Sequence, residues 1–233
     1  MHIKNTSVFT ALFLFLTLIM SCQSPTGKKP GITEGYIEYR MEYQADSANQ
    51  QLYQFLPKKM KLYFKNHNTK NSISDVAGIV EFTHIKNYQE GSYTTLVDLF
   101  DKQYKYIEKS NNHSIFFRSR PEMRIKPTDE TQDIAGYRCR KFNVYNSGNP
   151  DEKPSHAIYS TDEINIRGFT DLTPYQGIKG VLLNFELQIY QIPVKMIATQ
   201  VVEKKIDEEQ FNIPSDYKQV NKQTMLRIIE VLK

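Results

Sequence analysis

Two cysteines, no tryptophan and little charge excess mark this 233-residue chain. Two cysteines are too few for a disulfide scaffold. Ten glycines and ten prolines exclude a collagen-like or low-complexity chain. With 30 Lys+Arg against 26 Asp+Glu the net charge is only +4. That is no dense cationic field of the kind nucleic acid demands, so no nucleic-acid partner is expected. No apolar run reaches the roughly 20 residues a helical membrane span needs. What the chain does have is 39% hydrophobic residues, including 15 Tyr and 13 Phe, enough to build a core.

The N-terminus carries an address. Lys4 supplies a positive charge, an apolar run follows from Val8 to Met20, and the run ends at Ile19-Met20-Ser21-Cys22. A run of that length suits a signal peptide. Its ending resembles the bacterial lipobox, with Ile19 three before the cysteine and Ser21 directly before it; Met20 is bulkier than that pattern's usual residue. The resemblance implies cleavage before Cys22, diacylation of its sulfur and acylation of the new N-terminus. Each buried CH₂ contributes about 0.8 kcal/mol, so two or three acyl chains anchor stably. Residues 1–21 are therefore expected to be a lipoprotein signal peptide. Residues 22–33, rich in Pro, Gly, Ser and Lys, read as a flexible tether. With Gln23 rather than Asp after the cysteine, the expected location is the outer membrane, lipid-anchored and facing the periplasm. Once Cys22 is acylated, Cys139 is the remaining thiol, so stability must come from the core.

Residues 34–233 read as one mainly β domain: a single strongly curved antiparallel sheet, a half-barrel, with one or two short helices. Gly35–Tyr43 alternates Ile37, Tyr39, Met41 and Tyr43 with Glu38, Arg40 and Glu42. Lys59–Lys65 alternates Met60, Leu62 and Phe64 with lysines; Leu183, Phe185, Leu187 and Ile189 alternate with polar residues and Tyr190. Period two with one wet face is the signature of half-buried antiparallel strands. Further strands are expected at Ile73–Phe82, Tyr93–Phe100, Tyr104–Glu108, Tyr137–Tyr145, His156–Ser160 and Pro193–Ile206, nine to eleven in all, with turn clusters such as Asn66-His67-Asn68 between them. Ser114–Arg124 suits a short helix, and Gln223–Lys233 fits a helix or a last strand.

Four segments add up to a pattern: Gly35-Tyr36-Ile37-Glu38-Tyr39, Asp133-Ile134-Ala135-Gly136-Tyr137-Arg138-Cys139-Arg140-Lys141, Gly177-Ile178-Lys179-Gly180-Val181-Leu182, and Phe211-Asn212-Ile213-Pro214-Ser215-Asp216-Tyr217. Together they resemble a GLPGLI-type group of exported Gram-negative proteins of unknown function. That group is similar in expected fold to the LolA/LolB-like lipoprotein carriers, a half-barrel around an apolar cavity. Lys179 and Asp216 depart from the proline and glycine of the family pattern. Read as residues, these segments are structural punctuation: Gly136 suits a tight turn at positive φ, and Gly177 and Gly180 flank the turn into the Leu183–Ile189 strand.

Signatures of chemistry are lacking: no G-x-S-x-G, Walker loop, H-E-x-x-H or C-x-x-C occurs. His67, His84, His113 and His156 are widely spaced, and no metal or cofactor is expected. Asp129-Glu130 and Asp207-Glu208-Glu209 read as solvated charge at turns. A hairpin of Tyr137–Tyr145 with Ser155–Ser160 would set Cys139 opposite Ile158 and diagonal to His156. A Cys–His nucleophile pair needs a third orienting group, and none is identifiable; the bland reading, a small buried thiol, is preferred. No catalytic residue is assigned. The lysines of Lys58–Lys65 read as the wet face of a strand.

The expected function is a non-enzymatic, lipid-anchored binding module that carries or senses a hydrophobic ligand, such as an acyl chain or lipoprotein moiety. Met60, Leu62, Phe64, Leu183, Phe185, Leu187 and Ile189 are its candidate cavity residues, with Cys22 the lipid attachment. The alternative is an envelope accessory subunit that binds a protein partner through its sheet.

Overall fold

In the computed structural model the described residues are 31–44, 54, 56–74, 78–109, 123–146, 153–171, 173–189 and 192–231. Cys22, the leader, the tether up to Pro30 and the greater part of the Ser114–Arg124 segment lie outside them. Among the described residues no helix is long and apolar enough to cross a membrane.

Twelve strands form one sheet: β1 (Glu34–Tyr43), β2 (Lys59–Lys65), β3 (Asn68–Ser74), β4 (Val80–Asn87), β5 (Ser92–Leu99), β6 (Lys102–Glu108), β7 (Met123–Ile134), β8 (Tyr137–Asn146), β9 (His156–Thr161), β10 (Val181–Ile189), β11 (Ile192–Glu203) and β12 (Lys218–Gln219). Their order is β12-β6-β5-β4-β3-β2-β1-β11-β10-β9-β8-β7, so the sheet stays open, with edges at β12 and β7. All pairings are antiparallel except the short parallel one between β12 and β6. The alternation read from the sequence sets the buried face: Ile37, Tyr39, Met41, Met60, Leu62, Phe64, Leu183, Phe185 and Leu187 are all buried. The sheet is strongly curved. Six strand steps separate β5 from β10, about 29 Å across a flat sheet, yet Tyr93 of β5 and Leu187 of β10 line one small cavity.

Several elements depart from the expectation. Ile73–Phe82 is not one strand but the end of β3 and the start of β4. The polar β3, Asn-Thr-Lys-Asn-Ser-Ile-Ser, has no apolar alternation; it is a strand because β2 and β4 supply ladders on both sides. Asp129-Glu130 lies within β7 rather than at a turn, and Glu130 pairs with Lys141 at 2.8 Å. The turn reading holds at Asn66-His67, a two-residue loop with both residues at positive φ, and at Ala135-Gly136 in the β7–β8 hairpin. Both have the backbone signs of a type I′ turn. Of the two readings for the C-terminus, the helix is found: α1 (Lys222–Val231). Asn221 caps it, its Oδ1 accepting from Thr224 N at 2.9 Å. Met225 and Ile229, one turn apart, pack on Val97 with Phe82, Leu99, Tyr104 and Tyr106 around them.

The remaining cover is a strap, residues 162–180, between β9 and β10. Connections this long are uncommon in compact domains and are usually functional. At its start Ile164 bridges to Ile32, Ile32 N donating to Glu163 O at 3.0 Å; the fold thus takes in the end of the expected tether. Farther along, Lys86 of β4 and His67 of the β2–β3 turn hold its backbone. Its Tyr175 is fully buried and packs edge-on to Phe185 of β10. The concave face is therefore largely filled by the chain's own strap, with Ile164, Ile166 and Tyr175 in the core.

Candidate ligand cavity

Between strap and sheet a cavity of about 110 Å³ remains, lined among the described residues by Met60, Leu62, Thr69, Asn71, His84, Ile85, Lys86, Tyr93, Gly168, Phe169, Thr173, Phe185 and Leu187. Four of the seven candidate residues, Met60, Leu62, Phe185 and Leu187, are in this lining. Phe64 and Leu183 instead belong to the solid core, fully buried, and the side chain of Ile189 lies outside the description. An engineered cavity of about 150 Å³ holds benzene, so this one has room for about four or five non-hydrogen atoms by the same measure. A whole long acyl chain does not fit within it.

Reasoning from apolar alternation missed the polar part of the wall. In β4, Phe82, His84 and Lys86 share one face, and cross-strand register sets Asn71 opposite His84, Thr69 opposite Lys86 and Tyr93 opposite Lys86. Phe82 faces α1, while His84 and Lys86 reach the cavity. The available signal was the same period of two: a lysine two and four positions from His84 and Phe82 on an inward row.

Lys86 is only 8% exposed. Its ammonium donates to Arg167 O at 2.8 Å and Gly168 O at 2.6 Å. Asp171 Oδ2 stands 3.7 Å away, too long for a hydrogen bond. Burial lowers the Lys86 pKa and the Asp171 carboxylate partly offsets that. Gly168, at φ 62°, makes the approach feasible: a Cβ there would overlap both Asp171 Oδ2 and Lys86 Nζ. His84 is half-buried with its Nε2 shut off from solvent, and burial pushes its pKa down to about 4, so its imidazole is neutral at neutral pH. Burial, then Asp171, raises the Tyr93 phenol. The wall is thus an apolar surface with one cationic donor and several neutral polar groups.

A second hollow, about 390 Å³, is lined by the strap at Asp162, residues 164–171 and residues 177–180. Gly168 and Phe169 line both.

The Cys139–His156 pairing does not occur. Register sets Phe142 opposite Ile158 and Val144 opposite His156, so Cys139 lies five positions, about 17 Å, along β8 from the residue facing His156. Cys139 is fully buried, and burial, with Glu163 adding, pushes its thiol up to about 12. His156 serves packing instead: Nε2 is 3.1 Å from the Tyr175 hydroxyl, which donates to Glu186 O at 2.5 Å. Among the described residues no group of three His, Cys, Asp or Glu is placed to hold a metal ion. Two of the three β2 lysines are met by β1 carboxylates, Lys61 to Glu38 at 2.9 Å and Lys65 to Glu34 at 3.8 Å.

No protein-family model matches the chain, and no curated protein does. A solved structure of PNGF-II is 14% identical, the alignment covering 85% of this chain and 33% of that one at a TM-score of 0.46. The chain spans about a third of the length of PNGF-II, and a likeness at that score bears on neither site nor activity.

Proposed function

We propose that the domain is a non-enzymatic binding module for a small hydrophobic ligand or the apolar end of a larger one, tethered to the outer membrane through acylated Cys22 and facing the periplasm. The observation that carries this reading is the cavity walled by Met60, Leu62, Phe169, Phe185 and Leu187. This half-open pocket lies against a long strap, and its mainly apolar lining is of the kind a hydrophobic ligand covers. The lipobox at Cys22 and the resemblance to the GLPGLI-type group support the address and the carrier-like role.

Methyl NMR of the protein labelled at its methionines tests the cavity. Cyclopentane should shift the Met60 methyl while leaving Met225, in the separate cluster under α1, unmoved. An unshifted Met60 at saturating cyclopentane refutes the ligand site, and mass spectrometry of the protein from bacterial membranes lacking fatty acids on Cys22 refutes the anchor. The alternative, a subunit that docks a protein along its sheet, has less support: the β7 edge is interrupted by Pro127 and by a register break between Pro127 and Thr131, devices that blunt edge pairing.

A further inference from the structure

The cavity has a polar pole as well as an apolar wall, and that pole constrains what it takes. We propose that the ligand presents an acyl oxygen at the end of a short hydrocarbon, and that Lys86 Nζ donates to that oxygen. This rests on the cavity being a ligand site and adds the chemical class of the ligand.

A lysine ammonium has three N–H donors. Two are spent on Arg167 O and Gly168 O. The third has Asp171 Oδ2 at 3.7 Å as an ion-pair partner beyond hydrogen-bond reach, and the Tyr88 and Tyr93 rings lie 5.4 and 5.8 Å from Nζ; the charge is compensated, but this N–H has no hydrogen-bond acceptor. A buried charge is costly unless its donors are met, and Lys86 lines the cavity, so an acceptor entering that space completes its shell. Cationic ligands are excluded by the same wall. Among the described residues its lining holds no carboxylate, and an amine would face Lys86 at close range in a medium of low polarity. Hydrocarbon must occupy the rest, against Met60, Leu62, Phe185 and Leu187. The volume limits that hydrocarbon to about four carbons; a longer chain has to continue past Gly168 and Phe169, the residues shared with the larger, open hollow lined by the strap alone. A free carboxylic acid and an ester- or amide-linked acyl group share this oxygen.

The test uses three probes of five non-hydrogen atoms each on the full chain: cyclopentane, butan-2-one and propanoate. NMR follows the Met60 methyl and the Lys86 side-chain signals. All three should shift Met60, and the two oxygen-bearing probes alone should shift Lys86. Charge-assisted hydrogen bonds are strong enough that the affinity of butan-2-one relative to cyclopentane should fall about tenfold in Lys86→Met. Should that variant not fold, the Lys86 signals of the wild-type protein decide the matter by themselves. Preference for propanoate points to free acids, and equal or better binding of butan-2-one to linked acyl groups; either supports the assignment. If cyclopentane binds while the oxygen-bearing probes leave Lys86 unmoved, the acyl assignment falls and the apolar site stands. If no probe shifts Met60, the site itself falls and the assignment with it.

Discussion

Acid should weaken this fold through one buried imidazole. His84 sits on the inward row of β4, half-buried with its Nε2 shut off from solvent and Thr95 Oγ1 3.4 Å from its Nδ1. Burial pushes its pKa down to about 4 from 6.5. In the window between those values the unfolded chain binds a proton that the fold refuses, so stability rises with pH there and is lost as pH falls from about 6.5 toward 4. At 1.36 kcal/mol per unit, the shift amounts to about 3 kcal/mol by pH 4, a sizeable part of the 5–15 kcal/mol typical of a domain. Urea denaturation of wild type and His84→Gln at steps from pH 7.5 to 4 isolates this contribution, because carboxylate effects are common to both proteins. The wild type should lose about 3 kcal/mol more than the variant across that range. The imidazole NMR signals of His84 should stay those of the neutral ring until near pH 4. Parallel stability curves, or a His84 titration near 6.5, would refute the burial argument.

Other substitutions test the strap. Gly177 and Gly180 have nearly equal φ, 86° and 88°, but a Cβ at Gly180 would overlap the Thr161 carbonyl oxygen while one at Gly177 meets nothing. Gly177→Ala should cost about 1 kcal/mol of backbone strain and Gly180→Ala well above that, read from denaturation midpoints; equal costs would mean the close approach is not rigid. Tyr175→Phe leaves the buried Glu186 carbonyl and His156 Nε2 without the hydroxyl that joins them. It should destabilise by about 1–3 kcal/mol, with strap amides exchanging faster in hydrogen-exchange measurements; an unchanged exchange rate would show that the hydroxyl does not hold the strap. Alkylation of Cys139 by iodoacetamide at pH 8 should run about three orders of magnitude below an ordinary thiol in the folded protein and become rapid in urea. Rapid labelling of the folded protein would contradict the buried, raised-pKa thiol.

Much of the architecture was legible because its signal is local. Period two in Gly35–Tyr43, Lys59–Lys65 and Leu183–Ile189 depends only on which neighbours are apolar, and those segments became β1, β2 and β10 with the expected faces inward. Gly136 likewise announced a tight turn. β3 and the charged stretch of β7 were not legible, since a polar strand owes its conformation to the ladders of the strands beside it and not to its own pattern. The Cys139–His156 register failed for a related reason: residues 147–152 carry no information that fixes strand offset, and a small slip changes every cross-strand pair.

For the candidate site the division is sharper. Apolar alternation alone picked out Met60, Leu62, Phe185 and Leu187, because any residue on the inward row must face whatever the sheet encloses. It could not separate them from Phe64 and Leu183, which sit on the same row but in solid core. That distinction arises where the strap fails to fill the curved sheet, a matter of packing between segments some hundred residues apart. Lys86 became a cavity residue for the same reason: the carbonyls of Arg167 and Gly168 that make its burial tolerable come from the strap. Local sequence, through its period, determined which face is wet; only the tertiary contacts, by closing one segment over another, decided where space and charge remain.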